Sequence, residues 1–141
     1  FGDGREVHRA ADSIGNVFRT ADMTERVYAK GGVLKRVGTT ELEHDADGNL
    51  ITKTLADGAT WKYRWDAGGR LVSVDRPDGK AVSFTYDAFG RRLSKAFDGT
   101  TTEYVWDAND LVHERTRRGE QRGALVTWVF EPGCYAPLAR C

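Results

Sequence analysis

Short stretches of the chain alternate apolar and polar residues with a period of two, which differs from the period of a helix. The stretch 60–65 reads Thr-Trp-Lys-Tyr-Arg-Trp, so its three aromatic residues fall on one face and its polar residues on the other. The stretches 81–86 and 101–106 repeat this arrangement with Val, Phe, Tyr, Thr and Trp. Alternation rich in aromatic and β-branched residues predicts half-buried β-strands. We therefore expect an all-β fold with very little helix.

Each aromatic strand is followed by an Asp-x-x-Gly turn and then by a second, aliphatic strand that starts near Leu50, Leu71 or Leu93. Aspartate accepts backbone hydrogen bonds in a turn, and glycine takes the positive φ that other residues avoid. An Asp-Gly pair at 57–58, 78–79 and 98–99 then closes the second strand, as in a hairpin. One unit is thus predicted to be strand, turn, strand, turn.

This unit recurs. Asp45, Asp66, Asp87 and Asp107 follow one another at steps of 21, 21 and 20 residues. Weaker copies lie upstream at 12–17 and at 28–34, where Ala29 replaces the aspartate, which makes six copies. Internal repeats of this length predict stacked units that bury their faces on their neighbours.

We expect repeats over 1–110 and a departure from the pattern over 111–141, where a long hairpin has its tip near Arg117 to Gly123. The two ends of such a sheet are open edges, so we expect the isolated chain to be marginally stable or prone to aggregate.

Charge and composition argue against some classes of function. The 141 residues hold 21 basic and 21 acidic side chains, and no basic stripe is present, which argues against nucleic-acid binding. No apolar run approaches the ~18 residues of a membrane span. Cys134 and Cys141 have neither a disulfide framework nor a zinc spacing around them, and we interpret them as free thiols in a reducing compartment.

No catalytic, cofactor-binding or metal-binding residue is predicted, and the chain is not expected to be an enzyme. The recurring aspartates are interpreted as turn residues, because catalytic carboxylates need unequal surroundings. The segment 45–48 lacks the further ligands of a calcium loop. His8, His44 and His113 are dispersed; His44 fills an aromatic position of the repeat, and His113 next to Glu114 has no nucleophile in a recognisable motif. The tryptophans are interpreted as a buried stripe, with a sugar-stacking surface as the alternative.

The block 86–92, Tyr-Asp-Ala-Phe-Gly-Arg-Arg, resembles the YD repeats of Rhs (rearrangement hotspot) proteins, as do Trp-Val-Phe-Glu-Pro-Gly at 128–133 and the residues 136–140. The resemblance covers essentially the whole chain. It implies part of a spiralling β-sheet shell, a β-cocoon, that encloses a toxic C-terminal effector domain. The implied partners are the remaining segments of the shell and that enclosed domain, with secretion-spike proteins and a chaperone acting through the parent protein.

The resemblance also implies a cytoplasmic location in a producing bacterium until export, by type VI secretion in competition between bacteria. Rhs proteins cut their own chain at an Asp-Pro-x-Gly motif, and no Asp-Pro pair occurs here. No catalytic residue is therefore carried over, and a chain that opens at Phe1 is expected to be a core segment of a longer protein, ending before that motif. A carbohydrate-binding or cell-surface adhesion module built from YD repeats is the alternative.

Overall fold

The computed structural model describes residues 9–131 and 137–141. In these residues the elements are β-strands, apart from a single 3₁₀ turn at Lys30–Gly32. Strands that follow one another in the sequence pair antiparallel, except β2 and β3, which lie in different sheets. The strands are β1 Ala10–Ala11, β2 Val17–Phe18, β3 Arg26–Tyr28, β4 Leu34–Val37, β5 Thr40–His44, β6 Leu50–Thr54, β7 Thr60–Trp65, β8 Leu71–Asp75, β9 Ala81–Tyr86, β10 Arg92–Phe97, β11 Thr100–Asp107, β12 Asp110–Arg118, β13 Gln121–Phe130 and β14 Pro137–Arg140. The all-β prediction is confirmed.

The chain divides into two compact units, Phe1–Lys62 and Tyr63–Cys141, and the division falls inside β7. In the first unit, β1 and β2 form a hairpin of their own, and β3 to β6 lead in chain order to the start of β7. Phe18 is its most buried apolar residue and meets the ring of Tyr28 edge-on at 5.4 Å between centroids. The predicted division at residue 110 remains a prediction.

In the second unit the strands from the end of β7 to β14 follow in chain order. Residues paired across neighbouring strands lie on the same face of the sheet. Val74 pairs with Val82, and Phe84 pairs with Lys95, so the side chains of these residues share one face. We call this the aromatic face; it carries Phe84 and Tyr86 of β9 and Tyr104 and Trp106 of β11. The opposite face is polar, and there Thr85 shares a hydrogen bond of 2.7 Å with Ser94. The predicted one-sided stripe is therefore confirmed.

The stripe is not deeply buried. Among the described residues the core side chains are Phe18 and Val74, and the aromatic residues of β9 and β11 are half-buried. The described strands of the second unit form one sheet, and a single sheet has no second layer to cover its apolar face. This arrangement is what is expected of a repeat array that buries its faces on further elements.

The Asp-x-x-Gly turns have the predicted geometry. At 66–70, the N–H of Asp66 donates to the carbonyl of Arg70 and the N–H of Gly69 donates back to the carbonyl of Asp66, at 2.9 and 3.0 Å. Gly69 has φ = 73°, in the left-handed region that glycine enters without a Cβ penalty. The copy at 29–33 keeps the same backbone bonds although it lacks the aspartate.

Two details of the prediction are wrong. Asp107 does not begin an Asp-x-x-Gly turn: it lies in β11 and pairs with Asp110 across a two-residue turn, because the glycine position holds Asp110 and Ala108 takes the positive φ of 46° instead. The aliphatic strand β10 begins at Arg92 instead of Leu93. A register shift between Arg92 and Ser94 leaves Leu93 41% exposed.

The long C-terminal hairpin is confirmed. β12 and β13 meet at Gly119–Glu120, inside the predicted tip. Gly123 lies so close to Thr116 that a Cβ there would collide with the Thr116 hydroxyl and approach its carbonyl oxygen to 3.2 Å. Cys141 exchanges two backbone hydrogen bonds of 2.9 Å with Thr127 at the edge of the hairpin.

Candidate functional site

The most regular polar feature of the molecule is the carboxylate at the start of each turn. Asp66 Oδ1 accepts hydrogen bonds from the backbone N–H groups of Gly68 and Arg70, both at 2.9 Å, and Oδ2 accepts from Arg70 Nε at 2.7 Å. Asp87 repeats this pattern with Phe89 and Arg91 at the same three distances. Each carboxylate therefore locks its own turn from inside.

In the turns at 12–16 and 45–49, an asparagine forms the equivalent hydrogen bonds to the aspartate. In the turn at 45–49, the Asp45 carboxylate accepts from the Asn49 backbone at 2.8 Å and from Asn49 Nδ2 at 3.0 Å. Asp12 and Asn16 match this with 2.9 and 2.8 Å. The interpretation of the recurring aspartates as turn residues is thus confirmed for Asp45, Asp66 and Asp87.

These contacts hold the carboxylates in the charged form. The backbone hydrogen bond from Arg70 is the largest influence on Asp66 and, with the Arg70 side chain and the Gly68 N–H, it outweighs partial burial and lowers the pKa of that carboxyl below its usual 3.8. At Asp45, the side-chain bond from Asn49 is the leading cause of a lowered pKa. An ionised carboxylate has no proton to give, and most of its acceptor positions here are filled by its own turn.

An arginine at the fifth position of the turn also forms a hydrogen bond to the next repeat, whereas an asparagine there, among the described residues, bonds its own turn alone. Arg70 uses Nε for its own Asp66 and Nη1 for the backbone carbonyl of Asp87 in the following turn, at 3.0 Å. Arg91 likewise holds Asp87 and reaches the carbonyl of Ala108. Asp87 thus receives one arginine on its carbonyl and another on its carboxylate.

Aromatic side chains make a second set of ties in the opposite direction along the chain. The hydroxyl of Tyr86 donates to the carbonyl of Leu71, at 2.8 Å, and Trp106 Nε1 donates to the carbonyl of Arg92, also at 2.8 Å. Both acceptors are the first residue after the preceding turn. We call the four donors Arg70, Arg91, Tyr86 and Trp106 the inter-repeat ladder.

The ladder gives the arrangement a mechanical role. Every donor is a side chain of one repeat and every acceptor is a backbone carbonyl of an adjacent repeat, so neighbouring units are fastened at the turn and at the strand end. The arrangement holds no nucleophile and no unengaged carboxylate pair. Its hydrogen bonds tie each repeat to the next.

The remaining residues singled out in the sequence are not brought together. His113 shares a 3.0 Å hydrogen bond with Thr127, whereas Glu114 lies on the other face of β12, 3.7 Å from Arg140, so these neighbours form no dyad. His44 is half-buried, as expected of a packing residue. Cys141 is a free, exposed thiol. His8 and Cys134 lie outside the described residues.

Within 9–131 and 137–141, no group of three or more potential ligands is arranged to hold a metal ion. The same residues contain no helix with the length and apolarity to cross a membrane.

Arginine at the fifth position of the turn is the functional residue type that sequence reasoning missed. The signal was present, because Asp-x-x-Gly is followed by Arg at 70 and 91 but by Asn at 16 and 49. Only the geometry shows that the longer side chain spans two repeats.

Comparison with known proteins agrees with this geometry. The RHS Repeat family matches residues 44–81 and 69–96. None of the curated proteins matches the sequence.

Among solved structures, the chain is similar to the crystal structures of TcdB2-TccC3 and of TcdB2-TccC3-TEV, each at 25% identity and a TM-score of 0.57. The crystal structure of TcdB2-TccC3-Cdc42 matches at 24% identity and a TM-score of 0.56. Each match covers 66% of this chain and 5% of the other chain, so the sequence spans about one-twentieth of those proteins.

The matched residues include three of the four donors of the inter-repeat ladder, Arg70, Arg91 and Tyr86. Residues 44–96 of the chain match the RHS Repeat family, and the fold is similar to that of the TcdB2-TccC3 structures.

Proposed function

We propose that this segment is part of the wall of an Rhs shell that encloses a C-terminal toxic effector domain. The observation that carries the proposal is the inter-repeat ladder in a one-layer sheet. A wall needs units that are fastened to their neighbours, and it needs no reactive site of its own. The likeness to the TcdB2-TccC3 structures supports the proposal at the level of fold.

The energetics of the sheet favour this role over an independent module. Two apolar side chains make up the core of the described residues, and the aromatic face is otherwise open. Such a sheet gains stability from repeats before and after it, as expected of a repeat array. The segment is therefore suited to a continuous wall, in which the remaining shell segments are its first partners and the enclosed effector domain is the next.

The finer parts of the proposal concern the parent protein. They are synthesis in the cytoplasm of a producing bacterium, export by type VI secretion in competition between bacteria, and contacts of the parent with secretion-spike proteins and a chaperone. They are supported by the likeness to Rhs proteins alone.

Sequencing the coding DNA on both sides of the segment tests the proposal. We expect many further YD repeats upstream, and an Asp-Pro-x-Gly motif followed by a new domain downstream. A start codon directly before Phe1 together with a stop codon directly after Cys141 would contradict it, because a free-standing unit of this size encloses nothing.

A carbohydrate-binding adhesion module is the second candidate, because aromatic rings lie on an open face. Two of the rings, however, are already covered by cations. Arg92 lies 4.7 Å above the centroid of Phe84, and Arg140 lies 5.3 Å above that of Trp128. A ring covered by guanidinium offers little surface for a sugar to stack on. Saturable quenching of tryptophan fluorescence by members of a glycan panel would favour this candidate, and its absence across the panel would remove it.

A further inference from the structure

One position of the repeat holds a residue of a different chemical type in one copy than in the others. The residue directly after each five-residue turn that begins at the aspartate position of the repeat is the first residue of the following strand. This position holds an aliphatic residue in the other copies that have such a turn and a basic residue at Arg92. The aliphatic members are Val17, Leu34, Leu50 and Leu71.

The charge of Arg92 has no counter-charge among the described residues. Arg92 pairs with Tyr86 across the strands, and its guanidinium carbon lies 4.7 Å from the centroid of the Phe84 ring and 6.0 Å from that of Tyr86. Its Nε is buried and has no hydrogen-bond acceptor within the described residues. The adjacent Arg91, by contrast, is engaged by Asp87. A buried donor of a charged group that lacks an acceptor is costly and calls for an explanation.

The same guanidinium borders an open pocket of about 460 Å³ on the aromatic face of the second unit. Tyr86, Tyr104, Trp106 and Leu111 contribute its apolar lining, and its lining includes no acidic residue. The pocket therefore combines a planar cation, held in place by ring stacking, with an apolar wall and no internal partner for the charge.

We propose that this pocket binds a carboxylate carried on an apolar body, specifically an acidic side chain next to an apolar residue in a polypeptide segment. A carboxylate matches the fork geometry of guanidinium and can accept two hydrogen bonds from it. The flanking apolar residue covers the rings and excludes water, which strengthens the ion pair. The inference rests on this pocket and not on the shell role, so either can fail alone.

The repeat itself supplies the test variant. Arg92→Leu restores the residue type of the neighbouring copies and leaves the backbone carbonyl that accepts from Trp106 Nε1 in place. It removes an uncompensated charge, so the variant is expected to fold and to melt no lower than the parent. Arg92→Lys keeps the charge but loses the planar fork.

The probe is the blocked tripeptide acetyl-Leu-Glu-Leu-amide, with the Gln tripeptide as its neutral match. Binding to the 141-residue chain is followed by NMR of the Trp106 indole and the Arg92 Nε–H resonances. We expect saturable shifts with the Glu peptide and at least about tenfold weaker binding of the Gln peptide, the factor that corresponds to losing one hydrogen bond to a charged group. We also expect Arg92→Leu to bind both peptides equally weakly, with Arg92→Lys between.

Three results would overturn the proposal. The first is equal affinity of the parent chain for the Glu and Gln peptides. The second is undiminished Glu-peptide binding by Arg92→Leu. The third is no shift at either resonance up to millimolar peptide.

Discussion

Replacing Arg70 by Asn isolates the tie between one repeat and the next. In the turns at 12–16 and 45–49 an asparagine at this position already forms both hydrogen bonds to its own aspartate. Arg70→Asn therefore keeps the local lock on Asp66. It removes the Nη1 bond to the carbonyl of Asp87 and the contact of the guanidinium with the ring of Tyr86, 5.6 Å from its centroid.

The magnitude follows from those two contacts. A hydrogen bond to a charged group contributes about 1.5–3 kcal/mol when it is buried, and the Arg70 side chain is 38% exposed, which reduces this value. A cation–π contact at an exposed site adds about 0.5–1 kcal/mol. We expect Arg70→Asn to lower the free energy of unfolding by about 1–2 kcal/mol in total. Arg70→Ala loses the local lock as well and is expected to be less stable still.

Urea unfolding of the 141-residue chain, followed by tryptophan fluorescence, measures both variants. The reasoning is refuted if Arg70→Asn unfolds at the urea concentration of the parent while Arg70→Ala alone is destabilised. That outcome would mean that Arg70 stabilises its own turn alone, and that its hydrogen bond to the Asp87 carbonyl contributes nothing measurable to the free energy of unfolding.

The other predictions concern the rest of the ladder, the turn carboxylates and the C-terminal hairpin. Tyr86→Phe should lower stability by about 0.5–1.5 kcal/mol through loss of one hydrogen bond to the preceding repeat, whereas Tyr104→Phe, whose hydroxyl has no partner among the described residues, should change it little in the same urea assay. Because folding lowers the pKa of Asp66, its contribution to the free energy of unfolding is complete above the usual pKa of 3.8 and is lost as the pH falls through the folded value. The free energy of unfolding should therefore decrease below about pH 4. This decrease should be smaller in Asp66→Asn. Gly123→Ala should cost about 1–3 kcal/mol through overpacking, and a double-mutant cycle should show partial rescue by Thr116→Ala; independent, additive effects would contradict the contact.

Sequence spacing predicts the strands and most of the turns because both depend on local chemistry. Alternation sets the face of each residue, and Asp-x-x-Gly encodes a turn whose hydrogen bonds lie within five residues. The same logic fails at Asp107, since the glycine is missing and the chain takes a shorter turn. It fails at Leu93 because a register shift interrupts the alternation, and nothing in the period marks such a shift.

The candidate site is less accessible from sequence, since its contacts join residues 14–17 positions apart. The difference between Arg70 and Asn49 is visible in the sequence, yet both side chains satisfy the local turn equally well. Only the spacing of adjacent turns in the folded sheet shows that arginine reaches the next carbonyl. Likewise, Arg92 reads as an ordinary basic residue until its stacking on Phe84 and its unpaired Nε are seen.

The claim that the ladder holds a protective wall together is tested most directly by protease protection in the full-length gene product. The parent protein and a variant carrying both Arg70→Asn and Arg91→Asn are treated with the same protease, and cleavage within the effector domain that we propose the shell encloses is followed with time. We predict a protected downstream domain in the parent and markedly faster cleavage in the double variant, at a temperature where both remain folded. Cleavage at the same rate in the two proteins, or a downstream domain that the parent does not protect, would contradict the account.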